Sequence, residues 1–131
     1  MLVVDASVLF EVVADTRESE GLREHLRADT DQAAPHLVDA EVLSVIQSHS
    51  RVGNLDPTAA SQAIDDLRSW PGQRWPHRSL LERAWELRHN VRSYDGLYVA
   101  LAEALDGTLI TLDQRLSKVR GLKCDVTLPS A

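Results

Sequence analysis

The sequence has little of several residue types, and each shortage excludes a class of protein. Cys124 is the only cysteine, so no disulfide can form within the chain, and the five histidines show no spacing typical of metal ligands. No apolar run approaches the length of a membrane span, and no cationic segment or cleavage signature precedes Leu2. We therefore expect a protein of the cytoplasm that has no association with a membrane.

Positive charge is scarce in the first half of the chain. The formal net charge is −6, which argues against a protein that coats nucleic acid without specificity, because phosphate binding normally depends on Lys and Arg. Residues 1–73 contain five Lys and Arg against 13 Asp and Glu, whereas residues 74–131 contain nine against seven. Twelve of the 14 basic residues are Arg, whose planar fork suits phosphate, although its commonest role is on a solvated helix face.

Length and pattern predict one α/β domain spanning residues 1–131. Apolar residues make up 44% and charged residues 26% of the sequence, which is typical of a globular protein. Short apolar strands alternate with amphipathic helices, so we predict a central, mostly parallel sheet of four to five short strands flanked by helices. The predicted strands are Leu2–Val4, Ala33–Pro35, Gln73–Trp75, Thr108–Leu112 and Lys123–Leu128. The predicted helices are Val8–Val13, Glu18–Arg27, Leu37–Val52, Pro57–Trp70, Ser79–His89, Tyr94–Leu105 and Gln114–Lys118.

Two acids come directly after the clearest buried strands. Asp5 follows the run Leu2–Val4, and Asp113 follows the predicted strand Thr108–Leu112. The carboxyl ends of parallel strands meet at one edge of a sheet, where open α/β folds bind their ligands. Asp5 is therefore either an active-site acid or simply the cap of the helix that follows it.

Two further acids lie in apolar surroundings. Glu41 borders the buried stripe of its helix, with Val38 three residues before it and Val45 four residues after it, whereas Asp39 lies on the opposite, solvated side. Asp95 occupies the first turn of a helix that we expect Ser93 to cap. For Asp95 a favourable interaction with the helix dipole is the alternative to a role in a site.

A cluster of these acids requires either raised pKa values or a cation. Two unit charges about 4 Å apart repel by about 4 kcal/mol at an effective dielectric constant of about 20, and each further acid adds to this. Carboxylate oxygens, without His or Cys at ligand spacing, favour Mg²⁺ or Mn²⁺ and disfavour Zn²⁺.

The sequence resembles the PIN-domain ribonucleases and, among them, the VapC-type toxins of toxin–antitoxin pairs. The resemblance covers essentially the whole chain, and the four acids occur in the order and local context of the family. One motif of the family often ends in Phe, where this chain has Leu116. The matching segments are the strand before Asp5-Ala6-Ser7, the helix entry Pro35 to Glu41, the segment Ser93 to Ala102, and the segment Leu109 to Leu116.

The resemblance implies a PIN-like three-layer fold and a divalent-metal-dependent endoribonuclease. It implies that a metal-activated water hydrolyses RNA phosphodiester bonds, leaving a 5′-phosphate and a 3′-hydroxyl. Ser7 and Thr111 would supply hydroxyls that hold the ligands or a metal-bound water. The catalytic and metal-binding residues implied for one or two Mg²⁺ or Mn²⁺ ions are Asp5, Glu41, Asp95 and Asp113.

The resemblance also implies partners. These are an RNA substrate and a small VapB-like antitoxin that blocks the acidic cleft, with an inserted Arg standing in for the cation. We expect a homodimer, and a hetero-tetramer or larger assembly with the antitoxin. The candidates for contacts with RNA phosphates are Arg74, Arg78, Arg92 and Arg115, for each of which ordinary surface charge is the alternative.

Three other functions compete with this interpretation. A haloacid-dehalogenase-like phosphatase needs a second Asp two residues after the first, where this chain has Ser7. A receiver domain needs a Lys at a strand end, but the only lysines are Lys118 and Lys123. The serious alternative is a catalytically weak PIN-like binding module that acts mainly through a protein partner.

Overall fold

The computed structural model describes residues 1–129, and its centre is a five-stranded sheet in which every strand pairs in parallel. The order is β3-β2-β1-β4-β5, and Val3 pairs with Leu109 and Val4 with Ile110 across the two central strands. A parallel sheet is covered on both faces, which explains why β1 and β4 are almost wholly apolar. The strands are β1 (Leu2–Val4), β2 (Gln32–Pro35), β3 (Gln73–Trp75), β4 (Thr108–Ile110) and β5 (Asp125–Thr127). The predicted α/β class with a parallel sheet is therefore confirmed.

Seven α-helices within residues 1–129 flank the sheet. The most central is α6, which packs against β1, β2 and β4 and carries an unbroken buried run from Gly96 to Ala102. The helices α1, α3 and α4 pack against one another, and α5 packs on α6. Their bounds are α1 (Ala6–Val13), α2 (Ser19–Arg27), α3 (Leu37–Arg51), α4 (Pro57–Ser69), α5 (Leu81–Glu86), α6 (Ser93–Ala104) and α7 (Gln114–Ser117). None of the helices within residues 1–129 is both long and apolar enough to cross a membrane.

Helix α3 begins with a cap supplied from a distant part of the chain. The backbone N–H of Leu37 donates a hydrogen bond to Nε2 of His77, 3.0 Å away. His36 occupies the N-cap position but makes no capping bond with its own side chain. Because the first amides of a helix have no partner within it, His77 satisfies one of them and fixes the start of the helix that carries Glu41.

Several predicted boundaries differ from the structure. Strand β4 ends at Ile110, two residues earlier than predicted, although the N–H of Thr111 still bonds to the carbonyl of Thr127. The predicted helix Ser79–His89 is a 3₁₀ turn, Arg78–Leu80, followed by the short α5, because the chain turns after Glu86 and buries Leu87 and Val91.

The prediction that Ser93 caps α6 is wrong. The N–H of Gly96 bonds to the carbonyl of Arg92, so the helix starts one residue earlier and Arg92 takes the N-cap position. No side chain caps this end. Asp95 still lies in the first turn, where a carboxylate interacts favourably with the helix dipole.

Candidate active site

The strand order creates one crevice at the carboxyl edge of the sheet. Beyond β1 the chain runs to β2 and β3 on one side, and it returns to β4 and β5 on the other, so the order reverses between β1 and β4. The crevice at such a reversal is where open α/β sheets bind ligands. A cavity of about 710 Å³ lies here. Its lining includes all four acids singled out in the sequence: Asp5, Glu41, Asp95 and Asp113.

Asp5 is both a helix cap and an acid of the cavity. Its side chain is buried, with the residue only 7% exposed. Oδ1 accepts a hydrogen bond from the N–H of Ala6 at 2.9 Å, while Oδ2 accepts from the hydroxyls of Ser7 at 2.7 Å and Thr111 at 2.6 Å. The two interpretations of Asp5 that the sequence left open are therefore compatible. Three donors therefore fix the orientation of this carboxylate.

The hydroxyls of Ser7 and Thr111 join the ends of the two central strands. Besides donating to Asp5, Ser7 Oγ accepts the N–H of Leu112 at 3.1 Å, and Thr111 Oγ1 accepts the N–H of Asp113 at 3.0 Å. Thr111 is fully buried. Each hydroxyl therefore acts as donor and acceptor at once, and together they hold the chain that carries Asp113 against the chain that carries Asp5.

Glu41 and Asp95 are half-buried acids that repel their neighbours. Burial is the main cause that raises the pKa of Glu41, and the nearby charges of Asp5 and Asp95 raise it further. Burial also raises the pKa of Asp95, with added repulsion from Asp5 and Asp113 that Arg92 and Arg115 partly offset. A divalent cation would remove this repulsion.

Sequence reasoning missed one residue of this region. The hydroxyl of Tyr98 donates a hydrogen bond of 2.7 Å to Oε1 of Glu41. Tyr98 lies in α6, three residues after Asp95, and is 1% exposed. The only signal in the sequence was the hydroxyl group of this tyrosine within the apolar segment that follows Asp95. Apolar patterning alone predicts that such a tyrosine is a core residue.

Asp113 pairs with an arginine of its own segment. The guanidinium of Arg115 donates to both carboxylate oxygens, and the N–H of Arg115 also donates to Oδ1, which makes Asp113 the cap of α7. These hydrogen bonds lower the pKa of Asp113. Asp113 is thus held as a carboxylate at the rim of the cavity.

The donor set fits an oxygen-binding divalent ion. Five carboxylates line one cavity, because Glu11 joins the four acids singled out above, and His49 also lines it. Within residues 1–129, however, no His or Cys lies with these acids in a group of three that would suit zinc. As the side chains stand in the described part of the chain, no three of these groups already lie close enough to bind one ion together. Binding of one ion by three of these groups would therefore require their side chains to move, and a bond from Asp113 to the ion would compete with its pair with Arg115.

The four candidate arginines have different environments. Arg74 bonds to both oxygens of Asp39 and to the backbone carbonyls of Leu67, Trp70 and Gly72, and it lies over the ring of Trp70. These bonds use all five of its N–H donors, which ties Arg74 to the fold and pairs it with an acid that the sequence had suggested was merely solvated. Arg78 and Arg92 are exposed, and Arg115 is exposed while it holds Asp113.

Comparison with known proteins agrees with this architecture. A family model described as the PIN domain matches residues 2–122. The chain is 39% identical over 127 residues to ribonuclease VapC1 of Mycobacterium tuberculosis, covering 96% of each protein, and 36% identical over 128 residues to ribonuclease VapC9 of the same organism, covering 98% of each. A toxin–antitoxin complex from Klebsiella pneumoniae contains a similar fold, with a TM-score of 0.72, 16% identity, and coverage of 99% of this chain and 98% of the other.

The family that the sequence pattern suggested is therefore confirmed by matches over nearly the whole length. The sequence pattern predicted acids at the carboxyl edge of a parallel sheet. The structure has acids at that edge of its five-stranded parallel sheet, where the strand order reverses between β1 and β4. The chain belongs to the PIN-domain family and, within it, to the VapC ribonucleases.

Proposed function

We propose that this VapC ribonuclease is a divalent-metal-dependent endoribonuclease that acts as the toxin of a VapBC-type toxin–antitoxin pair. One observation carries the proposal, namely that Asp5, Glu41, Asp95 and Asp113 come from four separate parts of the chain and line one cavity. Several acids around one cavity destabilise the fold, because each repels the others. Such a cluster therefore indicates that a function requires it.

Asp5, Glu41, Asp95 and Asp113 are the proposed ligands of one or two Mg²⁺ or Mn²⁺ ions. Such an ion supplies a Lewis acid that activates water for attack on phosphorus and offsets the charge that develops on the phosphodiester. No protein nucleophile is needed for this reaction.

The residues around the ligands have positioning roles. Ser7 and Thr111 hold Asp5 in one orientation, and Thr111 also fixes the backbone of Asp113. Both hydroxyls are already satisfied by protein partners, so their arrangement exists before any ion binds. A proposed ligand that is oriented in advance, as Asp5 is, loses less conformational entropy on binding.

Exposed arginines near the cavity are proposed to bind the RNA backbone. Arg92 and Arg115 line a small cleft next to Asp95 and Asp113, and Arg78 is exposed in the 3₁₀ turn that follows β3. The guanidinium fork matches phosphate geometry. Arg74 is not included, because all its donors bind within the chain.

We propose a VapB-like antitoxin as the protein partner. A structural neighbour is a toxin–antitoxin complex, and the pair between Arg115 and Asp113 illustrates how a guanidinium binds a carboxylate of this cavity. An arginine supplied by the antitoxin would bind the remaining acids in the same way and compete with the ion. Adding the antitoxin should therefore stop cleavage. Replacement of the inserted arginine by alanine should weaken inhibition more than complex formation.

We also propose that the chain forms a homodimer, and a hetero-tetramer or larger assembly with its antitoxin. Leu81 and Trp85 on α5 are 55% and 67% exposed and border an apolar groove. Large apolar side chains grouped in this way are typical of a protein interface. Light scattering should give the mass of a dimer, and Leu81→Glu should shift it to a monomer if this surface is the interface.

The cytoplasm is the proposed compartment, since Cys124 has no partner for a disulfide.

Cleavage of RNA by the purified protein tests the central proposal. With Mg²⁺, the products should carry a 5′-phosphate and a 3′-hydroxyl, and chelation with EDTA should abolish cleavage. Asp5→Asn and Asp95→Asn should reduce the rate at least about 100-fold, because each removes a charged ligand. Asp65→Asn, an exposed acid on α4, serves as the matched control and should cleave normally.

Two outcomes would contradict the proposed mechanism. Cleavage that survives complete chelation would exclude the role of the ion. Undiminished cleavage by Asp5→Asn would exclude the acidic cavity as the active site. Tight binding to an antitoxin without cleavage of any RNA would instead support the catalytically weak binding module.

A further inference from the structure

The hydroxyl of Tyr98 donates a hydrogen bond that joins the core of α6 to an acid of α3. Its ring is buried in the core at 1% exposure, yet its hydroxyl reaches Oε1 of Glu41, a residue 57 positions away, at 2.7 Å. A buried tyrosine hydroxyl needs a partner, and a backbone carbonyl would serve equally well. In this structure the acceptor is a carboxylate that lines the acidic cavity.

Glu41 has physical reasons to turn away from the other acids. Its side chain has three rotatable bonds, and ordering them costs conformational entropy. The charges of Asp5 and Asp95 repel it. The hydrogen bond from Tyr98 opposes both effects, since it holds the side chain of Glu41 in one orientation. The bond uses only Oε1, and no protein donor within residues 1–129 binds Oε2.

We propose that Tyr98 is a positioning residue of the metal site, whose hydroxyl holds Glu41 in the cavity so that its second oxygen is available to a divalent ion. The proposal rests on the metal-dependent function proposed above. Tyr98 does not touch the ion or the RNA, and it acts only through Glu41. Partners that orient metal ligands in this way commonly account for about a 10-fold to 100-fold difference in metal affinity.

The test is Mn²⁺ binding to the purified, RNA-free protein, measured by calorimetry at a fixed neutral pH. Tyr98→Phe removes one oxygen and leaves the buried ring in place. We expect it to raise the Kd for Mn²⁺ about 10-fold, at the low end of the range for such partners. Tyr94→Phe is the matched control, because Tyr94 lines the same cavity but is 58% exposed, and its Kd should equal that of the wild type.

A double-mutant cycle separates this role from a general effect on the fold. If Tyr98 acts through Glu41, adding Tyr98→Phe to Glu41→Gln should change the Kd for Mn²⁺ by less than about twofold, since the charged ligand is already absent. A purely structural role would instead lower the thermal midpoint and leave the Kd for Mn²⁺ unchanged.

The outcomes distinguish the two proposals. Wild-type protein that binds no Mn²⁺ would overturn the proposed metal-dependent function. Wild-type protein that binds Mn²⁺ with the same Kd as Tyr98→Phe would overturn the role of Tyr98 and leave the proposed function standing. An equal loss of affinity from Tyr98→Phe in the wild type and in Glu41→Gln would also overturn it, because the effect would not pass through Glu41.

Discussion

The guanidinium of Arg115 holds the carboxylate of Asp113 by both oxygens, with Nε 3.2 Å from Oδ1 and Nη2 3.2 Å from Oδ2. This pair lies at the rim of the cavity that Asp5, Glu41 and Asp95 also line. An arginine of the chain thus occupies a position where a cation is expected, and it lowers the pKa of Asp113. The metal binding that we propose for Asp113 would therefore compete with an internal ion pair.

Replacing Arg115 should tighten metal binding. Arg115 is 66% exposed, and solvent weakens exposed ion pairs, so Arg115→Gln should lower the Kd for Mn²⁺ by at most about fivefold. Arg120→Gln removes the same charge from an exposed residue nearby and is the control. Calorimetry of the two variants checks the prediction. An equal gain in Mn²⁺ affinity in Arg115→Gln and Arg120→Gln would show that net charge, not the pair with Asp113, governs binding.

Asp95→Asn should stabilise the metal-free protein while it abolishes cleavage. Burial and repulsion by Asp5 and Asp113 disfavour the charge of Asp95, and the amide removes that charge without a change of shape. We expect the free energy of unfolding in EDTA to rise by about 0.5–2 kcal/mol, as is common when a strained functional site is neutralised. Urea unfolding measures this. A destabilised Asp95→Asn would mean that the charge of Asp95 supports the fold.

The stability of the metal-free protein should depend on pH through the same acids. The pKa values of Glu41 and Asp95 are raised above their ordinary values of 4.5 and 3.8. Their protonated forms therefore favour folding, and this contribution is present below the ordinary pKa and is lost as pH rises through the raised pKa. Asp113 has a lowered pKa, so its contribution has the opposite sign and is lost as pH falls.

The comparison of two proteins isolates this effect from the other titrating groups. Between about pH 4 and pH 8 in EDTA, the thermal midpoint of Asp95→Asn minus that of the wild type should increase as the pH rises. Saturating Mg²⁺ should raise the midpoint of the wild type more at the upper end of this range, where the acids are charged. A difference that does not vary with pH would contradict the raised pKa of Asp95.

Thr111→Val should impair both stability and activity. The substitution keeps the shape but removes the hydroxyl that donates to Asp5 and accepts from the N–H of Asp113, and it leaves buried polar groups without a partner. Such losses cost about 1–3 kcal/mol of folding free energy. The rate of RNA cleavage should fall more than about 10-fold, since the orientation of two proposed ligands depends on this hydroxyl.

Thr108→Val at the other end of β4 is the matched control. Thr108 pairs with Leu2 and lies away from the acidic cavity. The variant Thr108→Val should unfold like the wild type and should cleave RNA at the same rate. If both variants lose activity equally, the effect of Thr111→Val would come from the strand and not from its hydroxyl.

Local pattern was sufficient to predict some features and insufficient for others. Asp5 and Asp113 were predicted at one edge of the sheet because each follows an apolar strand, and parallel strands bring their carboxyl ends together. Glu41 and Asp95 were predicted from their position beside buried stripes of helices. Ser93 was predicted as a cap from its residue type, but the hydrogen bond between Gly96 and Arg92 decides where that helix begins.

Arg74 and Tyr98 show what pattern could not provide. Arg74 looked like a free cation, yet its partner Asp39 is 35 residues earlier and its other acceptors are carbonyls of the turn around Trp70. Tyr98 looked like core, and only the packing of α6 against the rest of the fold brings its hydroxyl to Glu41. Side-chain partners that are distant in the chain have no local signature in a single sequence.

The sequence by itself determined the α/β class and the strands, because apolar periodicity is a local property. Its resemblance to the PIN-domain ribonucleases identified the family and implied the four acids of the proposed site. Only the tertiary structure decided how those acids are held. The hydroxyl of Thr111 reaches Asp5 across 106 residues, and that of Tyr98 reaches Glu41 across 57. Burial, repulsion and hydrogen bonding at this edge depend on distances in space, and these exist only once the sheet has assembled.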